Sequence, residues 1–207
     1  MADPRPPRRP RGPFLRRPGV PSLALAAMLL GLGCPWLFPL AGAGTGGARA
    51  LELRGSTYFT RPPWKAELRS YNTNVAEANA EHYLTIELSP EAGAPLGRLD
   101  LQQIRGADTE FLSRLDRARA FTGRPRREGP AIPVQLRFDA RAGQLQLTFP
   151  EPVAPGTTVT VALRAWRNPW VGDTYLFQVV AWPAGMNPVA SPVGVGTLRI
   201  YSPLEWF

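Results

Sequence analysis

The sequence predicts an all-β protein: an immunoglobulin-like antiparallel β-sandwich with one short helix. Three observations support this fold class. The 207 residues include 20 Gly and 24 Pro, which interrupt the chain throughout its length. Several short segments alternate apolar and polar residues, as strands with one buried face do. Short turns join these segments, at a spacing typical of β-sandwiches.

The first half of the domain contains one clear strand and several weaker ones. Residues 83–88 combine β-branched, aromatic and leucine side chains and are predicted to be a strand. Residues 99–104 predict a second strand, and residues 51–53 and 57–59 predict short edge strands. The sequence leaves residues 64–80 open between a short helix and a strand.

A helix is predicted after residue 108. Asp108 is a suitable N-cap, and Gly123 is a suitable C-terminal residue. Arg117 and Arg119 fall where cations favour the C-terminal end of the helix dipole. The apolar residues that would share one helical face are Phe111, Leu112, Leu115 and Ala118.

The second half predicts a series of strands. Residues 134–139 and 144–149 alternate with a period of two and are joined by a short connection that ends in Gly, which predicts a hairpin. Pro155 and Gly156 suit the central positions of a type II turn.

Three further strands follow this turn. Residues 157–165 alternate, and residues 195–201 are predicted to close the sheet. Residues 174–182 are apolar at successive positions, so this strand is predicted to be central and covered on both faces.

Residues 1–50 are predicted to form a leader, followed by a single domain over residues 51–207. An Arg- and Pro-rich start precedes an apolar stretch and small residues that end at Ala43 and again at Ala50. These are the parts of a secretory signal, with cleavage after either alanine. The alternatives are an uncleaved membrane anchor, since the apolar stretch is about 20 residues long, and a lipid attached to Cys34.

The net charge of +8 is concentrated in this leader. Residues 1–50 contain seven Arg and one acidic residue, so the other 17 basic and 15 acidic residues give the domain a charge of +2. A domain that binds nucleic acid normally carries clustered cations on its folded part. The charge distribution therefore argues against nucleic acid as a partner.

No residue pattern predicts catalysis, a metal site or a cofactor. The domain has one histidine, His82, and no cysteine, which are too few ligands for copper or zinc. His82 shares its strand parity with Leu84 and Ile86, so it is predicted to lie at the edge of the core or in solvent. The acidic residues are scattered and show no pair with the context of a glycosidase.

One group of residues is typical of a binding surface. Its members are Arg164, Trp166, Arg167, Asn168, Trp170 and, on a later strand, Trp182. Trp and Arg are enriched in binding hot spots, and exposed aromatic rings stack on sugars or peptide side chains. The alternative is that the Trp residues cover one end of the sandwich while Asn168 and Pro169 form a turn.

Two other segments are weaker candidates for binding. Residues 204–207 form an aromatic C-terminus, which is either a docking tail or an apolar end packed on the sheet. Residues 124–127 form a basic loop, which is either solvated or a contact for an anionic surface.

Several short motifs resemble those of one known family. They are Glu52-Leu53, Thr57-Tyr58-Phe59, Tyr83-Leu84-Thr85-Ile86-Glu87-Leu88, Ala92-Gly93, Arg119-Ala120-Phe121-Thr122-Gly123, Pro155-Gly156-Thr157-Thr158-Val159-Thr160-Val161, Arg167-Asn168-Pro169, Tyr175-Leu176-Phe177 and Pro183-Ala184-Gly185. On these motifs the chain resembles, over roughly residues 51–201, the small exported cyanobacterial proteins grouped as domain of unknown function 2808. The resemblance implies an exported location and brings no established reaction.

These observations predict an exported, non-enzymatic binding or structural module of the periplasm or cell surface. Its expected partner is an envelope protein or a glycan, and it contacts a membrane only through an uncleaved leader. Two alternatives remain at this point: a hydrolase that acts on envelope polymers through carboxylates, and a membrane-anchored subunit.

Overall fold

The computed structural model describes residues 51–202, which form strands and one short 3-10 helix, Phe111–Arg114. The predicted leader and the aromatic C-terminus lie outside these residues. The strands are β1 Leu51–Leu53, β2 Ser56–Tyr58, β3 Ala66–Ser70, β4 Glu81–Glu87, β5 Leu96–Arg105, β6 Leu115–Arg124, β7 Arg127–Ile132, β8 Gln135–Asp139, β9 Gln144–Val153, β10 Thr158–Ala165, β11 Asp173–Pro183 and β12 Ser191–Ile200.

Two five-stranded antiparallel sheets form an immunoglobulin-like β-sandwich, as the sequence predicts. The strand order is β3-β4-β10-β6-β7 in the first sheet and β12-β11-β5-β9-β8 in the second. Strands β1 and β2 pair with each other as a separate hairpin and not as sheet edges. The ambiguous segment after residue 64 contains β3. Within residues 51–202, no helix is long and apolar enough to cross a membrane.

The core lies between the two sheets and is built from alternate residues of each strand. The first sheet contributes Leu84 and Ile86 of β4 and Val161 of β10, and the second contributes Leu147 of β9 and Phe177 of β11; all are buried. Because side chains of a strand alternate between faces, the residues between these positions point away from the core. The two outer faces of the sandwich therefore carry the polar residues on which a binding site could be built.

The helix predicted after Asp108 is wrong beyond its first turn. The chain makes one turn of 3-10 helix and then enters β6, which pairs with β10 on one side and β7 on the other. Arg117 and Arg119 point outward, whereas Ala120 is buried against the core. Backbone hydrogen bonds to two neighbouring strands outweigh the local helical signals of this segment.

Strand β11 is internal, as predicted, but it is covered on only one face. Tyr175, Phe177 and Val179 are buried, whereas Gln178 on the opposite face is exposed and Val180 is half-buried. No element among the described residues covers this outer face. The prediction of two covered faces is therefore wrong.

The predicted turns are present. Strands β8 and β9 pair as a hairpin, and Gly156 has a φ of 81° between β9 and β10, as the third position of a type II turn requires. The basic segment at residues 124–127 is not a free loop, because it joins β6 to a strand that the sequence did not predict, β7. Its first residue, Arg124, forms ion pairs with Glu67 and Glu87 on the first sheet.

Candidate functional site

The connection between β10 and β11 carries two exposed tryptophans. Trp166 and Trp170 are 64% and 67% exposed. The guanidinium carbon of Arg167 lies 5.0 Å from the centroid of each indole ring. Each distance is within the range of a cation–π contact, so the three side chains form a Trp–Arg–Trp stack. Of the tryptophans that the sequence predicts as a binding surface, Trp166 and Trp170 are the two that lie together and exposed.

Asn168, which lies between the two tryptophans in sequence, anchors this connection to residues 72–77 through hydrogen bonds. Its side chain is fully buried, and its Nδ2 donates to the backbone oxygens of Asn72 and Asn74 at 3.0 and 2.9 Å. Its backbone N–H donates to the oxygen of Glu77 at 2.9 Å. The sequence predicts Asn168 as part of a binding surface, whereas the structure buries it as the link between this connection and residues 72–79.

Arg164 lies beside the stack, on the outer face of the first sheet. It is directly opposite Arg117 of β6 in the strand register, and its Nη2 donates to the side-chain oxygen of Asn79 at 2.9 Å. Arg117 is exposed, and its nearest carboxylate is that of Asp116 at 3.9 Å. Like charges directly opposite each other disfavour the sheet. On the other side of β10, Arg164 is opposite Glu81 of β4, so one carboxylate already lies near these two cations.

A shallow depression of about 230 Å³ lies between these cations. Ala162 and Ala118 contribute to its lining together with Arg117, Arg164, Arg119 and one carboxylate, that of Glu81. Arg119 is already bonded to Glu128 at 2.6 Å. Neither Arg164 nor Arg167 forms an ion pair with another of residues 51–202.

Trp182 does not join this surface. It is near the far end of β11, about nine residues and roughly 30 Å of strand from the start of β11. Its side chain lies on the outer face of the second sheet, where Nε1 donates to Asp100 Oδ2 at 2.7 Å. The sequence placed it with Trp166 because both are tryptophans near one another in the chain, whereas the fold separates them.

His82 belongs to the core. Its ring lies against Phe111, with centroids 5.4 Å apart, and neither ring nitrogen has a hydrogen-bond partner within residues 51–202. Burial lowers the pKa of His82 to about 4, although Asn168, Glu77 and Glu81 partly oppose this shift. The strand parity noted in the sequence therefore predicted its position, and the neutral ring has no access to a substrate in solvent.

The described residues offer little support for metal or acid–base chemistry. Across residues 51–202, no three His, Cys, Asp or Glu side chains lie close enough together to hold a metal ion. One small cavity in the core and four surface depressions in the same range each contain at most one carboxylate in their lining. The hydrolase alternative therefore has no pair of facing carboxylates in these depressions.

Comparisons with known proteins agree with the resemblance found in the sequence. The model of the family described as "Protein of unknown function (DUF2808)" matches residues 56–200. A comparison with curated proteins gave no match.

Among solved structures, the chain is similar in fold to several proteins of low sequence identity. A cohesin module of a family 33 glycoside hydrolase from Clostridium perfringens is 7% identical with a TM-score of 0.44, covering 69% of this chain and 98% of that one. A collagen-binding domain of a Staphylococcus aureus adhesin is 7% identical with a TM-score of 0.38, covering 68% and 99%. The bacterial hydrophobin BslA is 13% identical with a TM-score of 0.37, covering 69% and 98%.

Proposed function

Because the chain belongs to the family described as "Protein of unknown function (DUF2808)", its function has to be argued from its own surface, and we propose that it is an exported, non-enzymatic module that binds an acidic polysaccharide of the cell envelope. The observation that carries this proposal is the Trp166–Arg167–Trp170 stack. The module needs no cofactor for this role.

The stack supports sugar binding because its rings are exposed and are held by contacts with neighbouring residues. Arg167 contacts one side of each indole ring, and Asn168 fixes the backbone that carries them. A rigid aromatic surface loses little conformational entropy when a ligand binds. Its flat apolar area suits the C–H face of a pyranose ring.

The cations around the stack favour an acidic polymer over a neutral one. Arg164 and Arg167 have no carboxylate partner among residues 51–202, and Arg117 has only the neighbouring Asp116. A guanidinium binds a carboxylate through two parallel hydrogen bonds. Uronate carboxylates spaced along a sugar chain would place such groups beside Arg164 and Arg117.

The cell envelope is the proposed location because of the leader. Its basic start, apolar stretch and small residues have the order of a secretory signal. A retained leader would give a membrane-anchored form of the same binding module. The binding surface lies on the domain in either case.

Affinity electrophoresis through polygalacturonate and alginate tests this function. We expect both polymers to retard the wild-type domain. The Trp166→Ala/Trp170→Ala variant is expected to bind at least about tenfold more weakly, because both stacking rings are removed. The matched control is Trp64→Ala, since Trp64 is 76% exposed and lies outside the stack. Equal binding by the double variant, or equal loss in the control, would overturn the proposal.

A further inference from the structure

The outer face of the second sheet carries a row of glutamines. Gln178 of β11 is paired in register with Gln102 of β5, which is paired with Gln144 of β9. Gln146 lies two residues further along β9, on the same face. We call these four residues, together with Trp182, the amide face. It presents one amide on β11, one on β5 and two on β9.

The amide face is close to neutral, unlike the outer face of the first sheet. On the first sheet, Arg119 and Arg124 form ion pairs with glutamates of other strands. On the amide face, the central charged residues are Arg98 and Asp100, which pair with each other at 3.0 Å. Other charged residues, which form no ion pair within residues 51–202, lie at its margin: Arg137 and Asp139 of β8, Arg105 of β5 and Arg199 of β12.

Asp100 fixes Trp182 on this face. Although Asp100 points outward, it is only 5% exposed, and its Oδ2 accepts a hydrogen bond from Trp182 Nε1 at 2.7 Å. The guanidinium carbon of Arg98 lies 4.2 Å from the centroid of the Trp182 ring. A carboxylate is costly to bury unless it is paired and hydrogen bonded. The three side chains therefore form an ordered unit on an otherwise open sheet face.

We propose that the amide face binds a neutral polysaccharide chain that lies across the strands of the second sheet. An amide group both donates and accepts hydrogen bonds, as a sugar hydroxyl requires. Adjacent strands lie about 4.8 Å apart, which is close to the width of one sugar ring. The row Gln178, Gln102 and Gln144 can therefore contact successive sugars, and the ordered indole of Trp182 offers an apolar surface to the chain.

This site is separate from the stack in both position and chemistry. The stack lies at the β10–β11 connection and contains Arg167, which forms no ion pair within residues 51–202, whereas the amide face lies on β5, β9 and the far part of β11. The absence of unpaired charge at its centre favours a ligand without charge. The inference therefore does not depend on the acidic ligand proposed for the stack.

The first test is affinity electrophoresis in hydroxyethylcellulose, xyloglucan and dextran. We expect at least one of these neutral polymers to retard the wild-type protein, and Gln102→Ala/Gln144→Ala/Gln178→Ala to bind at least tenfold more weakly. Thr158→Ala, an uncharged change on the first sheet, is the matched control. Trp166→Ala/Trp170→Ala is expected to bind the neutral polymer like wild type, so failure of one site is distinguishable from failure of the other.

A second measurement uses the unaltered protein. The indole N–H signal of Trp182, assigned by comparison with Trp182→Phe, is expected to shift when a neutral oligosaccharide of the retained polymer is added, while those of Trp166 and Trp170 stay unchanged. The proposal is overturned if none of the three polymers binds, or if the shifts occur at the stack. It is also overturned if the amide face instead mediates self-association, seen as a sedimentation change that the triple variant abolishes.

Discussion

At the scale of single residues, His82 shows how a core accepts a titratable group. It lies against Phe111, and its neutral ring makes no hydrogen bond within residues 51–202. Burial is the main cause of its lowered pKa, and the nearby Glu77 and Glu81 offset only part of the shift. The ring therefore stays neutral in the folded protein over a pH range in which an exposed histidine takes up a proton.

This difference makes stability depend on pH. The pKa of His82 is lowered from 6.5 to about 4 on folding. As the pH falls from 6.5 to 4, the unfolded chain binds a proton that the folded chain does not, so the free energy of unfolding decreases. The loss is about 3 kcal/mol once the pH is below 4.

Urea denaturation of wild type and His82→Leu over this pH range isolates the effect. The carboxylates titrate in both proteins, so the difference between the two curves reports the histidine. We expect the wild type to lose stability relative to the variant as the pH falls. Parallel curves would show that the ring is not held neutral by the fold.

Asn168 is also buried, but unlike the ring nitrogens of His82 its amide nitrogen has hydrogen-bond partners, whereas its side-chain oxygen has none within residues 51–202. Its amide nitrogen binds two backbone oxygens, and it forms part of the segment that carries the exposed tryptophans. The sequence places a turn-forming Asn-Pro pair here, which fits a turn or a surface residue equally well. Asn168 is a buried anchor because residues 72–79 pack over it and supply the two oxygens that its amide nitrogen binds.

At the scale of elements, the β10–β11 connection depends on that anchor. Asn168→Ala would remove both of its bonds and leave the oxygen of Asn74 without a side-chain donor, whereas that of Asn72 keeps the Ser70 hydroxyl, and we expect the free energy of unfolding to fall by about 2 kcal/mol. Asn187→Ala is the control, since Asn187 donates to the oxygen of Gly55 on an exposed loop. Equal losses in the two variants by urea denaturation would contradict the anchoring role.

Two elements show where local pattern and structure diverge. The segment after Asp108 contains helix signals at both ends, yet most of it is β6, because pairing with β10 and β7 completes the first sheet. Strand β11 has apolar residues on both faces, yet its outer face remains open. Apolar composition alone does not tell whether a second layer exists to cover it.

At the scale of the whole molecule, the two proposed sites lie on different parts of one sandwich. A module that holds an acidic polymer at the stack and a neutral chain on the amide face would link two components of an envelope. That role requires the domain to leave the cytoplasm. Export is therefore the property that the two binding proposals share.

Mass spectrometry of the native N-terminus in separated cell fractions tests export. We expect a protein that starts at Gly44 or Leu51 in the envelope fraction, because the small residues that precede each position suit a signal peptidase. An intact N-terminus in the membrane fraction would instead support the anchored form. An intact protein in the cytoplasm would contradict both forms.

The sequence by itself determined the local features of this protein. Strand-forming composition identified β4, alternation with a period of two identified the β8–β9 hairpin and β10, and strand parity placed His82 beside the core. Short turn and strand motifs were sufficient to recognise the family. These features depend on neighbouring residues, so a single sequence contains the information for them.

The tertiary structure decided which residues act together. It separated Trp182 from Trp166, buried Asn168, and brought Gln102, Gln144 and Gln178 into one row. Each of these results depends on strand order and register between segments far apart in the chain. A two-residue period shows which side chains share a face of one strand, but pairing with distant strands decides which neighbours that face acquires.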